Sequence, residues 1–347
     1  MAEPAISLIV PCYNIPSEHL SRALESVAVQ SFADYEVILV DDGSAPAYHA
    51  ACVSLSETDA RIRLITTENH GVAAARNTGV RAACGKYVAF LDADDALTPS
   101  FFREAYAAAS ANDADLVMGG VRLVDALPAP APDVPGSAPE QTVYRGEAVQ
   151  GLKKYYVCRH WELRGDGFGI PRGPIARLVR RELCLAHLFP EDLRIGEDCV
   201  WSLDVLAASG TVCVVQSLWY WYWQNPASAV HRFHPDMRAQ WERQLEGIRP
   251  LLDLNDPEQY QAFVMHVHDG VFYLWRCYFR HAADHPELRG EMRRVRRAVR
   301  REQPWRMLAE PRFFRGAVTK YKIISILYRM GLLLPVMNLW QRIKGKQ

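Results

Sequence analysis

Short apolar runs alternate with segments of helical period through the first 125 residues. Ile6-Ser7-Leu8-Ile9-Val10 is continuous and stops at Pro11, the pattern of a strand buried on both faces. Leu20, Leu24 and Val27 then fall at helical spacing, with Ser17 placed to cap the segment. Val37–Val40 and Ile62–Ile65 predict two further strands. A helix is expected from Val72 to Ala83, followed by a strand over Tyr87–Leu91. After Pro99 an Ala-rich helix and a strand at Asp115–Met118 complete the series. Strands alternating with helices of about a dozen residues imply βαβ units and a mostly parallel α/β sheet with helices on both faces.

Beyond this region the pattern changes. Residues 126–142 are Ala/Pro-rich and aperiodic, and read as a flexible insertion or linker. Residues 143–235 are rich in Arg, Gly and aromatics, including Trp219-Tyr220-Trp221-Tyr222-Trp223, expected as a buried strand with one face towards a site. Residues 236–303 read as helices, and 304–347 as a basic amphipathic tail.

Composition sharpens this. With 49% hydrophobic and 23% charged residues, the chain has a globular core and is neither disordered nor fibrous. Its eight cysteines form no CxxC pair, so they read as reduced, mostly buried thiols of a cytosolic protein. The 40 basic and 40 acidic residues cancel, yet 289–347 hold 16 Lys/Arg against three acids, so the rest of the chain is acidic by the same margin. Such a basic end suits an anionic partner, either nucleic acid or a phospholipid surface. Met1–Pro4 carry no targeting signal, and no run of eighteen apolar residues predicts a spanning helix.

Three predicted strands end in polar clusters: Pro11-Cys12-Tyr13-Asn14, Asp41-Asp42-Gly43-Ser44 and Asp92-Ala93-Asp94-Asp95. In an open parallel sheet, ligands sit outside the carboxyl ends of the strands. Any one cluster could simply end a strand in a turn. Together they gather five carboxylates on one edge, which repel unless a cation bridges them. The Asp92-x-Asp94-Asp95 arrangement suits Mg²⁺ or Mn²⁺ holding a diphosphate. Neither GxGxxG nor GxxxxGK[ST] is present, so metal and arginine have to hold any phosphate.

The stretches ISLIVPCYN, VILVDDGS, NHGVAAARNTGV and GKYVAFLDADD, in that order and spacing, resemble the nucleotide-sugar-binding half of family 2 inverting glycosyltransferases. The resemblance covers about the first 120 residues and implies the GT-A fold, here followed by a helical C-terminal extension. Gly173–Leu178, Gly196-Glu197-Asp198 and Trp223–Ser228 resemble the acceptor half of polysaccharide-type members, although Pro174-Ile175-Ala176 stands where that family often has Trp-Asn-Lys.

Carried over residue by residue, the resemblance implies that Tyr13 stacks on a uracil-type base and Asp42 accepts from its imide N–H. Asp41 supports the turn, Arg76 lies near the base or diphosphate, and Pro11 and Ala93 line the nucleotide. Asp92 and Asp94, with Asp95 beside them, hold ribose and metal, with His231 as a further candidate ligand. Asp198 becomes the general base, with Glu197 as its companion; the plainer alternative is that both only complement a helix N-terminus. Inverting transfer needs one carboxylate to take the acceptor proton and a cation to stabilise the departing diphosphate, from opposite sides of the sugar.

The expected activity is metal-dependent transfer from a UDP-type donor to a glycan or lipid-linked acceptor. A nucleotidyltransferase on a related fold and a catalytically silent nucleotide-sugar-binding scaffold are the alternatives. In the tail, Ile323, Ile324, Ile326, Leu327, Met330, Leu333 and Leu334 lie among Lys and Arg, the make-up of a helix resting in a bilayer interface. Recognition helices and stacking aromatics for nucleic acid are missing, so the expectation is a cytoplasmic protein bound peripherally to the inner face of the cell membrane through 289–347.

Overall fold

The computed structural model describes residues 3–133, 136–158, 172–224 and 232–344. Two compact units emerge, Met1–Asn225 and Pro226–Gln347. The sequence-based break at 126–142 therefore falls inside the first unit.

In the first unit, β1 (Ile6–Cys12), α1 (Ser17–Ala28), β2 (Tyr35–Asp42), α2 (Pro46–Ser56), β3 (Ile62–Thr67), α3 (Val72–Ala82) and β4 (Tyr87–Phe90) follow the predicted alternation. Then come β5 (Ala96–Leu97), α4 (Phe101–Asn112), β6 (Leu116–Val124), β7 (Gln141–Arg145), α5 (Glu147–Gln150) and α6 (Lys153–Val157). β8 (Arg177–Arg180), α7 (Arg181–Ala186), α8 (Glu197–Ala208) and β9 (Thr211–Trp223) complete the unit. Ser17 is the first residue of α1 and makes no side-chain cap.

Among the described residues one nine-stranded sheet runs β3-β2-β1-β4-β8-β6-β9-β5, with β7 also paired to β9. The strands β3, β2, β1 and β4 are mutually parallel. All seven residues of β1 are buried, which explains its unbroken apolar pattern. The other half is mixed: β8 is antiparallel to β4 and β6, whereas β6 and β9 are parallel. That antiparallel insertion depends on a four-residue strand too short to read from periodicity.

The Ala/Pro-rich segment stays irregular, and its described residues bond to Arg22, Ser31 and Arg103. Arg22 Nη2 donates to Leu127 O at 2.6 Å, and Asp133 accepts from Ser31 Oγ and Arg103 Nε. β7 then returns the chain to the same sheet, so this segment is an insertion within the first unit.

The second unit holds α9 (Met237–Ile248), α10 (Pro257–Cys277), α11 (Arg289–Arg301), α12 (Pro311–Gly316), α13 (Thr319–Met330) and α14 (Leu333–Lys344). α11 buries Met292, Val295, Ala298 and Val299 on one face and leaves its arginines outside. The basic tail, 304–347, holds α12, α13 and α14 rather than one helix. Gly331, at φ 72°, ends α13, and α13 and α14 meet at a 112° bend. Among the described residues no single helix is long and apolar enough to cross a membrane.

Candidate active site

The site forms where β1, β2 and β4 end side by side. Cys12 is the register partner of Asp41, and Leu91 N donates to Ile9 O, so the three polar clusters lie along one sheet edge. Tyr13, just beyond β1, is 54% exposed, a large ring held open to solvent. Asn14, at φ 49°, donates from its N–H to Ser44 Oγ and accepts from Ala45 N, stitching the first two clusters together.

Asp41 and Asp42 take different tasks. Asp41 is fully buried; Ser44 N donates to its Oδ1 at 3.0 Å and His49 Nδ1 lies 2.7 Å from its Oδ2. Burial works to raise its pKa, but the bonds from Ser44 and His49 outweigh it and hold the carboxyl below its usual range. Asp42 receives His70 N at 3.0 Å and Gly71 N at 2.8 Å, one on each oxygen, and so clamps the turn before α3. Between that turn and β2 lies Gly43, at φ 72°, where a Cβ would stand 2.6 Å from Asn69 N.

The third cluster divides as well. Asp92 and Asp94 are half-buried, whereas Asp95 is 2% exposed and turned inward. Tyr220 Oη donates to Asp95 Oδ2 and Trp223 N to Oδ1, both at 2.8 Å. Burial, with Asp92 and Asp94 nearby, pushes the Asp95 carboxyl up to about 8. With both oxygens bonded to β9, Asp95 braces the turn, and Asp92 and Asp94 are the more exposed carboxylates of the cluster. Two hard oxygen donors beside a diphosphate fit Mg²⁺ or Mn²⁺, which keep several waters and take few protein ligands.

Arg76, expected near the base or diphosphate, reaches the third cluster from α3. Its α3 backbone puts the guanidinium in the interior, where Nη2 donates to Asp92 Oδ1 at 2.9 Å and Nη1 to Glu197 Oε1 at 3.0 Å. Its Nε has no acceptor among the described residues. Burial opposes its charge, but Asp92 and Glu197 outweigh that and keep it firmly protonated. Arg76 therefore joins the metal-type cluster to the start of α8.

That start is set by Gly196, at φ 87°, a conformation that turns the chain sharply into α8. Glu197 follows, 7% exposed and paired to Arg76; burial first, then Asp198, pushes its carboxyl up to about 7. Asp198 Oδ1 accepts from Cys199 N at 2.7 Å, and a Cβ on Gly173 would stand 3.4 Å from Asp198 Oδ2. Burial raises the Asp198 pKa and Arg76 opposes the rise, which makes this carboxylate a stronger proton acceptor than a solvated one.

Two features escaped the sequence reading. Arg177 is wholly buried, donating Nη1 to Tyr156 Oη at 3.0 Å, and its charge, opposed by burial, is favoured by Tyr156 and by Asp198. Tyr222 is 37% exposed and feels Asp95, Asp92, Asp94 and Asp198; burial foremost pushes its hydroxyl up to about 12. An Arg in an apolar strand and a Tyr within an aromatic run are the sequence signals that could have flagged them. Ala176, in the substituted triplet, sits at φ 53°, unusual for a residue with a Cβ. His231, together with Trp161, Arg164, Asp166 and Phe168, lies outside the described residues.

Residues 7–151 match the profile of glycosyl transferase family 2. Over 219 residues, 62% of this chain and 69% of the relative, the chain is 36% identical to glycosyltransferase GlyG of Streptococcus pneumoniae. The chain belongs to glycosyl transferase family 2. It is also 29% identical to the uncharacterized glycosyltransferase EpsJ of Bacillus subtilis over 253 residues, 70% of this chain and 68% of that one. Some matched relatives are far longer, with the chain spanning as little as 15% of their length. Among solved structures, S. aureus TarS 1–349 in complex with UDP-GlcNAc superposes with a TM-score of 0.61 at 18% identity, covering 97% of this chain and 91% of that one. The family member thus has the GT-A fold expected from its strand-end motifs.

Proposed function

We propose that this glycosyltransferase moves a sugar from a uridine diphosphate donor to a hydroxyl of a growing glycan or lipid-linked acceptor, with inversion, during surface-polysaccharide assembly. The observation that carries the reading is the Arg76 bridge, which sets Glu197 and Asp198 beside Asp92 although they come from opposite halves of the unit. A relative named succinoglycan biosynthesis protein ExoO, from Rhizobium meliloti, supports the polysaccharide setting.

In this reading Tyr13 stacks on the base and the Asp42-clamped turn supports it. Asp92 and Asp94 hold a divalent cation, which when bound offsets the charge that gathers on the diphosphate. Asp198 accepts the acceptor hydroxyl proton as that oxygen bonds to the anomeric carbon. The bond from that carbon to the diphosphate oxygen breaks in the same displacement, and its electron pair leaves with UDP. Arg76 and Glu197 are positioning residues: they fix the distance between the two carboxylate sets.

A nucleotidyltransferase would release pyrophosphate, and a silent scaffold would release nothing. Incubating the chain with UDP-sugars and Mn²⁺ separates the three, since release of UDP with free sugar or glycan supports transfer. Sugar 1-phosphate in place of UDP, pyrophosphate from a parallel incubation with UTP and a sugar 1-phosphate, or no product across a donor panel, overturns it.

The expected membrane partner has support in the second unit. Ile323, Ile326 and Met330 on α13 are 54%, 44% and 59% exposed and share one helix face, and Val336 and Leu339 on α14 are exposed as well. Leu333 and Leu334 are buried instead, and Tyr328 turns inward to donate to Val299 O. The apolar face is therefore narrower than the sequence stripe. With the surrounding Lys and Arg it suits peripheral binding to an anionic leaflet.

A further inference from the structure

Beside the donor edge lies a second cluster of metal-ligating side chains that the transfer chemistry does not use. Cys12 ends β1 and Asp41 is its register partner on β2. His49 and Cys52 stand one turn apart on α2 and face them. Cys12 Sγ and Cys52 Sγ are 3.5 Å apart, and both sulfurs lie within 4.8 Å of an Asp41 carboxylate oxygen. All three residues are buried, Cys52 and Asp41 completely.

We propose that Cys12, Cys52 and Asp41 form a binding site for a thiophilic divalent cation, Zn²⁺, distinct from the Asp92–Asp94 pair. The donor set decides the metal. Two thiolates and one carboxylate select zinc, whereas Mg²⁺ and Mn²⁺ prefer oxygen alone. Zinc–sulfur bonds of about 2.3 Å in tetrahedral geometry put two sulfurs about 3.8 Å apart, so the pair needs only a small adjustment. Binding exchanges the two thiol protons for the cation.

His49 supports the assignment from behind. Its Nδ1 lies 2.7 Å from Asp41 Oδ2, the outer hydrogen bond that orients a metal-binding carboxylate. Its half-exposed ring is also the solvent side of an otherwise closed cluster. The site reaches the donor edge directly: Asp41 Oδ1 takes Ser44 N, Ser44 Oγ takes Asn14 N, and Tyr13 adjoins Cys12. A bound cation thus fixes the backbone lip that presents Tyr13.

The test uses the full chain, reduced with a phosphine, stripped with a chelator and titrated with Co²⁺ and then Zn²⁺. One equivalent of Co²⁺ should give a thiolate-to-cobalt absorption band, which Zn²⁺ bleaches. Cys52→Ser should remove the band, and Asp94→Ala should retain it. X-ray absorption of the zinc-loaded native chain, which needs no variant, should show two sulfur neighbours at about 2.3 Å. Absence of the band, its loss in Asp94→Ala, its persistence in Cys52→Ser, or a shell of only oxygen and nitrogen each overturns the proposal.

Discussion

Arg76 Nη1 and Glu197 Oε1 meet at 3.0 Å across 121 residues of sequence, in the interior of the first unit. With Asp92 on the other arm of the guanidinium, this pair joins the two halves of the candidate active site. A buried cation between two carboxylates is costly to assemble and costlier to break, because removing one member leaves unpaired charge.

Arg76→Ala should therefore lose about 3–5 kcal/mol of stability, read by urea unfolding, and at least about 100-fold in kcat. Arg76→Lys should not restore activity, since an ammonium cannot serve two carboxylates in a fork. Near-native turnover in Arg76→Lys would show that the bridge does not position the site.

Asp198→Asn should abolish transfer, with kcat lower by about 10²–10⁴-fold, while UDP-sugar binding stays within a few-fold of native. Calorimetry and product assays on one preparation separate these outcomes. Substantial turnover in the variant removes Asp198 from the role of base.

Asp94→Ala should weaken donor binding in Mn²⁺ and leave the weaker metal-free binding nearly unchanged. Asp95→Ala should instead act mainly on stability, because Asp95 spends its oxygens on Tyr220 and Trp223. The comparison of metal-dependent donor affinity in the two variants checks the division within the cluster.

Stability should fall as pH rises across the neutral range. Asp95 and Glu197 carry folded pKa values raised from 3.8 to about 8 and from 4.5 to about 7. The folded chain thus holds protons that the unfolded chain has released, and this stabilisation is present at low pH and lost through those values. Urea midpoints between pH 5 and 8.5 should decline, with a shallower slope in Asp95→Asn. An identical slope in the variant would exclude Asp95 as a source.

Ile323→Asp combined with Ile326→Asp and Met330→Asp should release the chain from anionic vesicles without altering UDP binding. Co-sedimentation with phosphatidylserine-containing vesicles measures it, and unchanged binding rules this face out as the contact.

The strand-end clusters were readable because each is local: an apolar run, then polar residues, with the parallel sheet aligning the ends. Gly196 before an acidic pair likewise marked the start of α8. Which carboxylate does what was not readable. Asp95 and Asp92 are three residues apart, yet one is claimed by β9 partners more than 120 positions away and the other pairs with Arg76. The short antiparallel β8 that brings β6 and β9 into the sheet has no periodic signature, and the Ala/Pro segment is held by arginines remote in sequence. Local patterning thus determined the strands, the edge on which chemistry gathers and the residue types present. Tertiary structure alone decided which charges are paired, buried or exposed, because burial and ion pairing depend on neighbours that only the folded chain brings within a few ångströms.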